Sequence, residues 1–210
     1  IEESEKILID LSNKYPNDNS IIITLANFYR SKDDYRKAIK FYSNIIDENN
    51  IDKNQLLNLF YMRGICFERI GDWKEAENNF LKALDIDSNN PEVLNYLAYG
   101  WIERDTFLDK SLQMLLIASA KKPESYYILD SLGWAYYKIN DLNKAAKIME
   151  DVIMKAPGEA ISLDHLGDIY FALGRKREAF FMWLQAKDLA TAEDEILEKI
   201  ESKLSQHNAG

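Results

Sequence analysis

Two neighbouring stretches of this chain carry the same residues at a constant offset of 34 positions. The shared residues are two leucines, a glycine and a tyrosine, namely Leu129, Leu132, Gly133 and Tyr136, then Leu163, Leu166, Gly167 and Tyr170. Their spacing of i, i+3, i+4 and i+7 places each set on one face of a helix. A repeat this short cannot bury its apolar faces alone, so we predict that neighbouring repeats stack into an extended helical array.

A small residue marks each of two helices in every repeat. In the first helix it recurs at steps of 38, 34, 35 and 34, as Ala26, Gly64, Ala98, Gly133 and Gly167. In the second helix it recurs at steps of 38, 35, 34 and 34, as Ala38, Ala76, Ser111, Ala145 and Ala179. Over four steps, both series are five residues longer than a strict period of 34 residues would make them. This shared excess predicts insertions near 50–56 and 105–108. Gly133 is expected to admit the second helix closely, with Ala145 against it.

The pattern resembles the tetratricopeptide repeat family, which has a large residue, Leu, Gly and Tyr in one helix and Ala, an aromatic and Pro in and after the next. The resemblance spans about Asn19 to Lys187. Strings such as RGICFERIGDW (63–73) and ILDSLGWAYYKI (128–139) are similar to the carboxy-terminal arrays of bacterial tetratricopeptide adaptors. The resemblance implies an all-α fold, a right-handed α-solenoid of antiparallel helix hairpins, with a concave groove lined by the first helices.

The repeat boundaries predict eight segments. They are the second helix of a truncated repeat over 1–16, full repeats over 19–50, 57–88, 91–123, 126–157 and 160–190, a capping helix over 192–206 and a tail over 207–210. The cap is expected from a one-sided apolar stripe that includes Ile200 and Leu204. The leading half-hairpin, together with a start at Ile1, suggests a piece of a longer protein.

Composition and charge disfavour several classes of function. The chain has 35 acidic against 26 basic residues, so a nucleic acid backbone would be repelled overall. No apolar run approaches the roughly 20 residues that span a bilayer. Cys66 is the single cysteine, so no disulfide can form within the chain. Some of the adaptors that the chain resembles are exported or membrane-anchored, and the compartment is left open.

Residues for catalysis are sparse. His165 and His207 lie 42 positions apart, Cys66 has no evident histidine partner, and no glycine-rich phosphate motif occurs. His165 lies near Asp164 and Asp168, but a metal site is the weaker interpretation because no second histidine or cysteine is near. We therefore predict no catalytic, cofactor or metal site, and a chain that is not an enzyme.

Arg63 departs from the repeat pattern, since the other repeats have leucine at the equivalent position. Its aliphatic stem is expected to pack while its guanidinium pairs with an acid such as Glu68 or Glu77. Contact with a ligand is the alternative interpretation.

A second stripe on the first helices is the candidate binding site, because the resemblance places it in the concave groove. Its peptide-binding candidates are Tyr61, Asn95, Tyr99, Tyr127, Asp130, Trp134, Tyr137, Asp164, Asp168 and Phe171. Tyrosine and tryptophan are frequent anchors for partners, although these rings could equally pack between adjacent helices. Acids outnumber bases on the stripe, so the expected partner segment is neutral to basic with apolar anchors.

These observations predict a protein-protein interaction scaffold that binds a peptide or a partner helix in its groove. One alternative is a recruiting or tethering arm of a larger enzyme whose catalytic domain lies outside this sequence. A third possibility is self-association through the amino-terminal half-hairpin.

Overall fold

The computed structural model describes residues 2–47, 51–191 and 196–207, and these form twelve α-helices. The chain divides into two compact units, 1–93 and 94–210. Residues 1, 48–50, 192–195 and 208–210 lie outside the described part, and with them parts of the predicted truncated repeat, first full repeat, cap and tail. The predicted all-α architecture is confirmed over the described residues.

The first unit contains five helices in successive contact. They are α1 (Glu2–Lys14), α2 (Asn19–Ser31), α3 (Tyr35–Ile46), α4 (Lys53–Arg69) and α5 (Trp73–Ile86). Its core includes Leu25, Tyr42 and Ile45, each at most 1% exposed. The insertion predicted near 50–56 appears in part as an additional turn at the start of α4, which begins four residues before the predicted repeat boundary at 57.

The second unit begins within α6 (Pro91–Ile102) and continues through six further helices. They are α7 (Leu108–Lys121), α8 (Tyr126–Lys138), α9 (Leu142–Lys155), α10 (Ala160–Ala172), α11 (Lys176–Leu189) and α12 (Ile196–His207). Buried side chains from α9 to α12, among them Met149, Trp183 and Ile200, form one core. None of the described helices is long and apolar enough to cross a membrane.

Three of the hairpin turns share one arrangement, and the Gly174 turn (φ 77°) does not, because Arg175 follows it without a side-chain cap. A residue with positive φ precedes an aspartate whose carboxylate accepts a backbone N–H from the next helix, as in Asn140 (φ 66°) followed by Asp141. Glycine fills the first position in Gly71 (φ 81°), where a side chain would add strain. The turn with the predicted one-residue insertion differs, because Phe107 at φ 48° precedes α7 without a side-chain cap.

Close packing of the two helices in a hairpin depends on the small residue of the first. A Cβ atom on Gly133 would lie 2.6 Å from the sulfur of Met149 and 2.8 Å from its Cγ. The closest neighbour is therefore Met149, one turn beyond the predicted Ala145, because the long methionine side chain reaches back over the glycine. The expectation of close approach holds, and the three atoms nearest to that position belong to Met149 and Ile148.

Arg63 lies in the first unit and is part-buried. Its Nε donates to Asn79 Oδ1 at 2.8 Å, and a terminal nitrogen donates to Ser43 Oγ at 2.9 Å. The predicted pairing with Glu68 or Glu77 was wrong, because the guanidinium bridges α3 and α5 through neutral groups.

Candidate functional site

The predicted binding residues divide between the units. Tyr61 lies in the first unit, with its ring 6.3 Å from that of Phe80, and the other nine lie in the second. Within the second unit, α8 and α10 present equivalent positions 34 residues apart. The equivalent pairs are Asp130 with Asp164, Trp134 with Asp168, and Tyr137 with Phe171.

Burial separates the candidates into two groups. Asn95, Asp130, Trp134 and Asp164 are only 7%, 7%, 8% and 5% exposed, so they have little surface left for a partner. The more accessible members are Tyr127, which is 39% exposed, and four half-buried side chains, namely Tyr99, Tyr137, Asp168 and Phe171.

Trp134 organises three rings that we call the ring stack: His165, Trp134 and Tyr137. The centroids of His165 and Trp134 lie 4.0 Å apart at 11°, and those of Trp134 and Tyr137 lie 4.6 Å apart at 16°. The indole Nε1 of Trp134 donates to Glu103 Oε1 at 2.7 Å. Three segments of the chain, namely α8, α10 and the turn after α6, therefore meet at one indole.

A buried pair between Asp130 and His165 supports this stack. The Nδ1 of His165 lies 3.1 and 3.3 Å from the two carboxylate oxygens of Asp130. Burial by itself would lower the pKa of His165, but attraction to Asp130 and the hydrogen bond with it raise that pKa above its ordinary value. Asp164 and Glu103 act in the same direction. The surrounding charges favour a protonated His165, and the geometry places an Nδ1–H donor against Asp130.

Lys203 of α12 pairs with both acids on α10. Its Nζ lies 2.7 Å from an oxygen of Asp164 and 2.7 Å from an oxygen of Asp168. Asp168 also accepts a hydrogen bond from the indole Nε1 of Trp183 at 3.1 Å. Burial raises the pKa of the Asp164 carboxyl, although Lys203 pulls it in the opposite direction.

The remaining candidates have separate neighbours. The Phe171 ring lies 5.5 Å from that of Trp183, and the Tyr127 ring lies edge-on to Tyr126 at 5.7 Å. Among the residues that the structure describes, none donates a hydrogen bond to the buried Oδ1 of Asn95.

Sequence reasoning missed His165 and Lys203 as members of this site. The signal for His165 is its place directly after Asp164, on the helix side that faces the preceding repeat. Lys203 gave a weaker signal, as a cation next to the buried Leu204 on the predicted cap. Within the described residues, no group of three or more His, Cys, Asp or Glu side chains could hold a metal ion.

Models of the tetratricopeptide repeat match residues 19–89 and 129–158. A "TPR repeat-containing protein" of Pseudomonas aeruginosa is 28% identical over 112 residues, which is 53% of this chain and 19% of that protein. The "Protein CTR9 homolog" of Arabidopsis thaliana is 25% identical over 182 residues, or 86% of this chain and 16% of that protein. The chain thus spans about a fifth or less of the curated relatives it matches.

Solved structures share the fold at low sequence identity. MamA of Desulfovibrio magneticus RS-1, solved from residue 41 to its end, matches with a TM-score of 0.68 at 17% identity, covering 85% of this chain and 98% of that solved chain. YrrB, described as a TPR protein with an unusual peptide-binding site, matches with a TM-score of 0.64 at 20% identity, covering 94% and 98%. A chain of the APC/C assembly Cut9–Hcn1 reaches a TM-score of 0.78 at 13% identity, covering 96% and 39%.

Proposed function

We propose that this chain, which belongs to the tetratricopeptide repeat family, is a protein-interaction scaffold that holds a peptide or a partner helix against the first helices of its second unit. The observation that carries the proposal is the ring stack and the accessible aromatic side chains beside it. Members of the family are in general non-catalytic scaffolds. The peptide-binding site named for YrrB supports this choice of partner class.

The accessible rings are the proposed contact residues. Tyr137 and Phe171 occupy equivalent positions on α8 and α10 and are half-buried, so each is held by its neighbours and still offers surface. Rigid, partly buried aromatic side chains are frequent hot spots, because little rotamer freedom is lost on binding. Trp134 and Asp130 are proposed to act beneath this surface, as supports that fix Tyr137.

The proposed partner segment is neutral to basic with apolar anchors. Five carboxylates lie at the face, namely Glu103, Asp105, Asp130, Asp164 and Asp168. Three cations pair with them, namely Lys138, His165 and Lys203. With His165 protonated, these groups carry an excess of two negative charges, which has the sign predicted from the sequence. It favours a partner that carries a few positive charges.

Peptide selection on the immobilised full chain tests this function. We expect Tyr137→Ala and Phe171→Ala each to lower the affinity for a selected peptide by about tenfold or more, which is the effect of losing one hot spot. Phe181→Ala is the matched control, because Phe181 is an aromatic residue of the same unit that is 57% exposed on α11. Equal binding by all three variants would refute the proposed face, provided that circular dichroism shows them folded.

A second candidate function is self-association through α1. Ile7 and Leu11, one turn apart, are 52% and 37% exposed, and Tyr15 is 47% exposed. Apolar side chains grouped on one helix face favour a protein contact. Sedimentation of the parent and of the Ile7→Glu/Leu11→Glu double variant tests it. A parent that stays monomeric at high concentration rules this candidate out.

A further inference from the structure

One of the rings in the ring stack, the imidazole of His165, can take up and release a proton. His165 is 6% exposed, stacks on Trp134 at 4.0 Å, and directs Nδ1 at both oxygens of Asp130. A neutral imidazole can keep one hydrogen bond to a carboxylate, whereas an imidazolium also neutralises its charge. The protonation state of His165 therefore changes the net charge of the buried pair that it forms with Asp130.

Charged groups reach His165 from several directions. Asp130 comes from α8, Glu103 from the turn after α6, and Asp164 from α10 itself. Lys203 from α12 is already bound to Asp164 and Asp168. The cation paired with Asp130 is His165. Three acids thus act on one imidazole, and Lys203 is bound to one of them, Asp164, as well as to Asp168.

We propose that the binding face is proton-gated: the ring stack keeps its geometry while His165 carries a proton and loosens when the proton is lost. The inference rests on the proposed function, because the stack underlies the face assigned to the partner. Without the proton, the buried carboxylate of Asp130 loses its counter-charge, which is costly at low dielectric. The attraction of an imidazolium for the face of the Trp134 indole is lost as well.

The direction of the pH effect follows from the charges around His165. Because its folded-state pKa is raised above the ordinary 6.5, its stabilising contribution is fully present below about pH 6.5. That contribution is lost as the pH rises through the folded-state value. The face is thus ordered on the acid side of this transition and loosened on the alkaline side, so Tyr137 is the contact residue that should respond first.

Nuclear magnetic resonance of the full chain tests the gate without any partner. The ring protons of His165 and the indole N–H of Trp134 would be followed from about pH 5 to pH 9, the range in which histidine titrates. A His207→Gln background leaves His165 as the single histidine. We expect His165 to titrate above 6.5, and the Trp134 indole signal to shift with the same midpoint.

Asp130→Asn supplies the diagnostic variant, because burial without the acid should bring the His165 midpoint below that of the parent. Asp109→Asn, an exposed acid of α7, is the matched control and should leave the midpoint unchanged. The proposed gate would be overturned if His165 of the parent titrated at or below pH 6.5, or if the Trp134 indole signal did not shift over the His165 titration. Either result would hold even if Asp130→Asn failed to fold. A chain that shows the expected titration but binds no selected peptide at any pH would instead count against the proposed function alone.

Discussion

The contact between Gly133 and Met149 allows a sharp test of how the hairpins pack. In Gly133→Ala, the new methyl group would lie 2.6 Å from the Met149 sulfur and 2.8 Å from its Cγ, and 3.5 Å from Cγ2 of Ile148. Alanine in a helix interior should by itself stabilise by about 1 kcal/mol relative to glycine. Overpacking of a filled core costs about 1–3 kcal/mol. Because Met149 is fully buried and cannot swing into solvent, the overpacking term should dominate.

We therefore expect Gly133→Ala to lower the free energy of unfolding by up to about 2 kcal/mol, which is the overpacking cost less the gain from alanine, and Gly133→Leu to lower it further. Urea unfolding followed by far-ultraviolet circular dichroism measures this difference. Gly158→Ala is the matched control, because a methyl group there meets nothing within 4 Å and its φ is not positive. That control should change stability by less than about 0.5 kcal/mol.

A double variant reverses the sign of the effect. Met149→Ala alone should cost about 2–5 kcal/mol of stability by leaving a cavity. It also removes the two Met149 atoms that a methyl group at position 133 would crowd. In that background, Gly133→Ala should be neutral or stabilising by up to about 1 kcal/mol. The packing argument fails if Gly133→Ala is as stable as the parent, or if its cost is the same with and without Met149.

Three further outcomes follow from the second unit. Lys203→Met should destabilise by about 1–3 kcal/mol in urea unfolding because buried Asp164 loses its cation, whereas exposed Lys199→Met should have almost no effect. The difference in unfolding free energy between the parent and Lys203→Met should shrink at low pH, where Asp164 protonates. A difference that does not depend on pH would contradict the pairing. Truncation after Ala190 removes α12 and uncovers the core around Trp183, so size-exclusion chromatography should show aggregation, and an unchanged monomer would remove the capping role. Affinity for a selected basic peptide should fall between about 0.05 and 0.5 M salt, since exposed charges are screened, and a salt-independent affinity would argue against charge complementarity.

The hairpin array could be predicted from the sequence because its determinants are local. A small residue every 34 or so positions marks where helices approach, and the pair Asn140-Asp141 specifies a turn by a left-handed residue followed by a helix cap. The start of α4 was less certain. Its additional turn is capped by Asp52, whose carboxylate accepts from the backbone N–H of Gln55, and an aspartate in a loop does not by itself specify where a helix begins.

The binding stripe was harder to predict because its side chains are paired between repeats rather than within them. Asp130 of one repeat pairs with His165 of the next, and Asp164 pairs with Lys203 of α12. Aligning repeats compares equivalent positions, such as Asp130 with Asp164, and so treats both as one column of surface acids. The neutralising residues occupy a different column, and their own equivalents need not be charged: the counterpart of His165 in the preceding repeat is Ser131, whose hydroxyl donates to the backbone carbonyl of Tyr127. The charge of such a face therefore depends on the side chains of adjacent helices taken together. The repeat pattern alone predicts where the face lies, but it does not predict which residues pair with the acids on it.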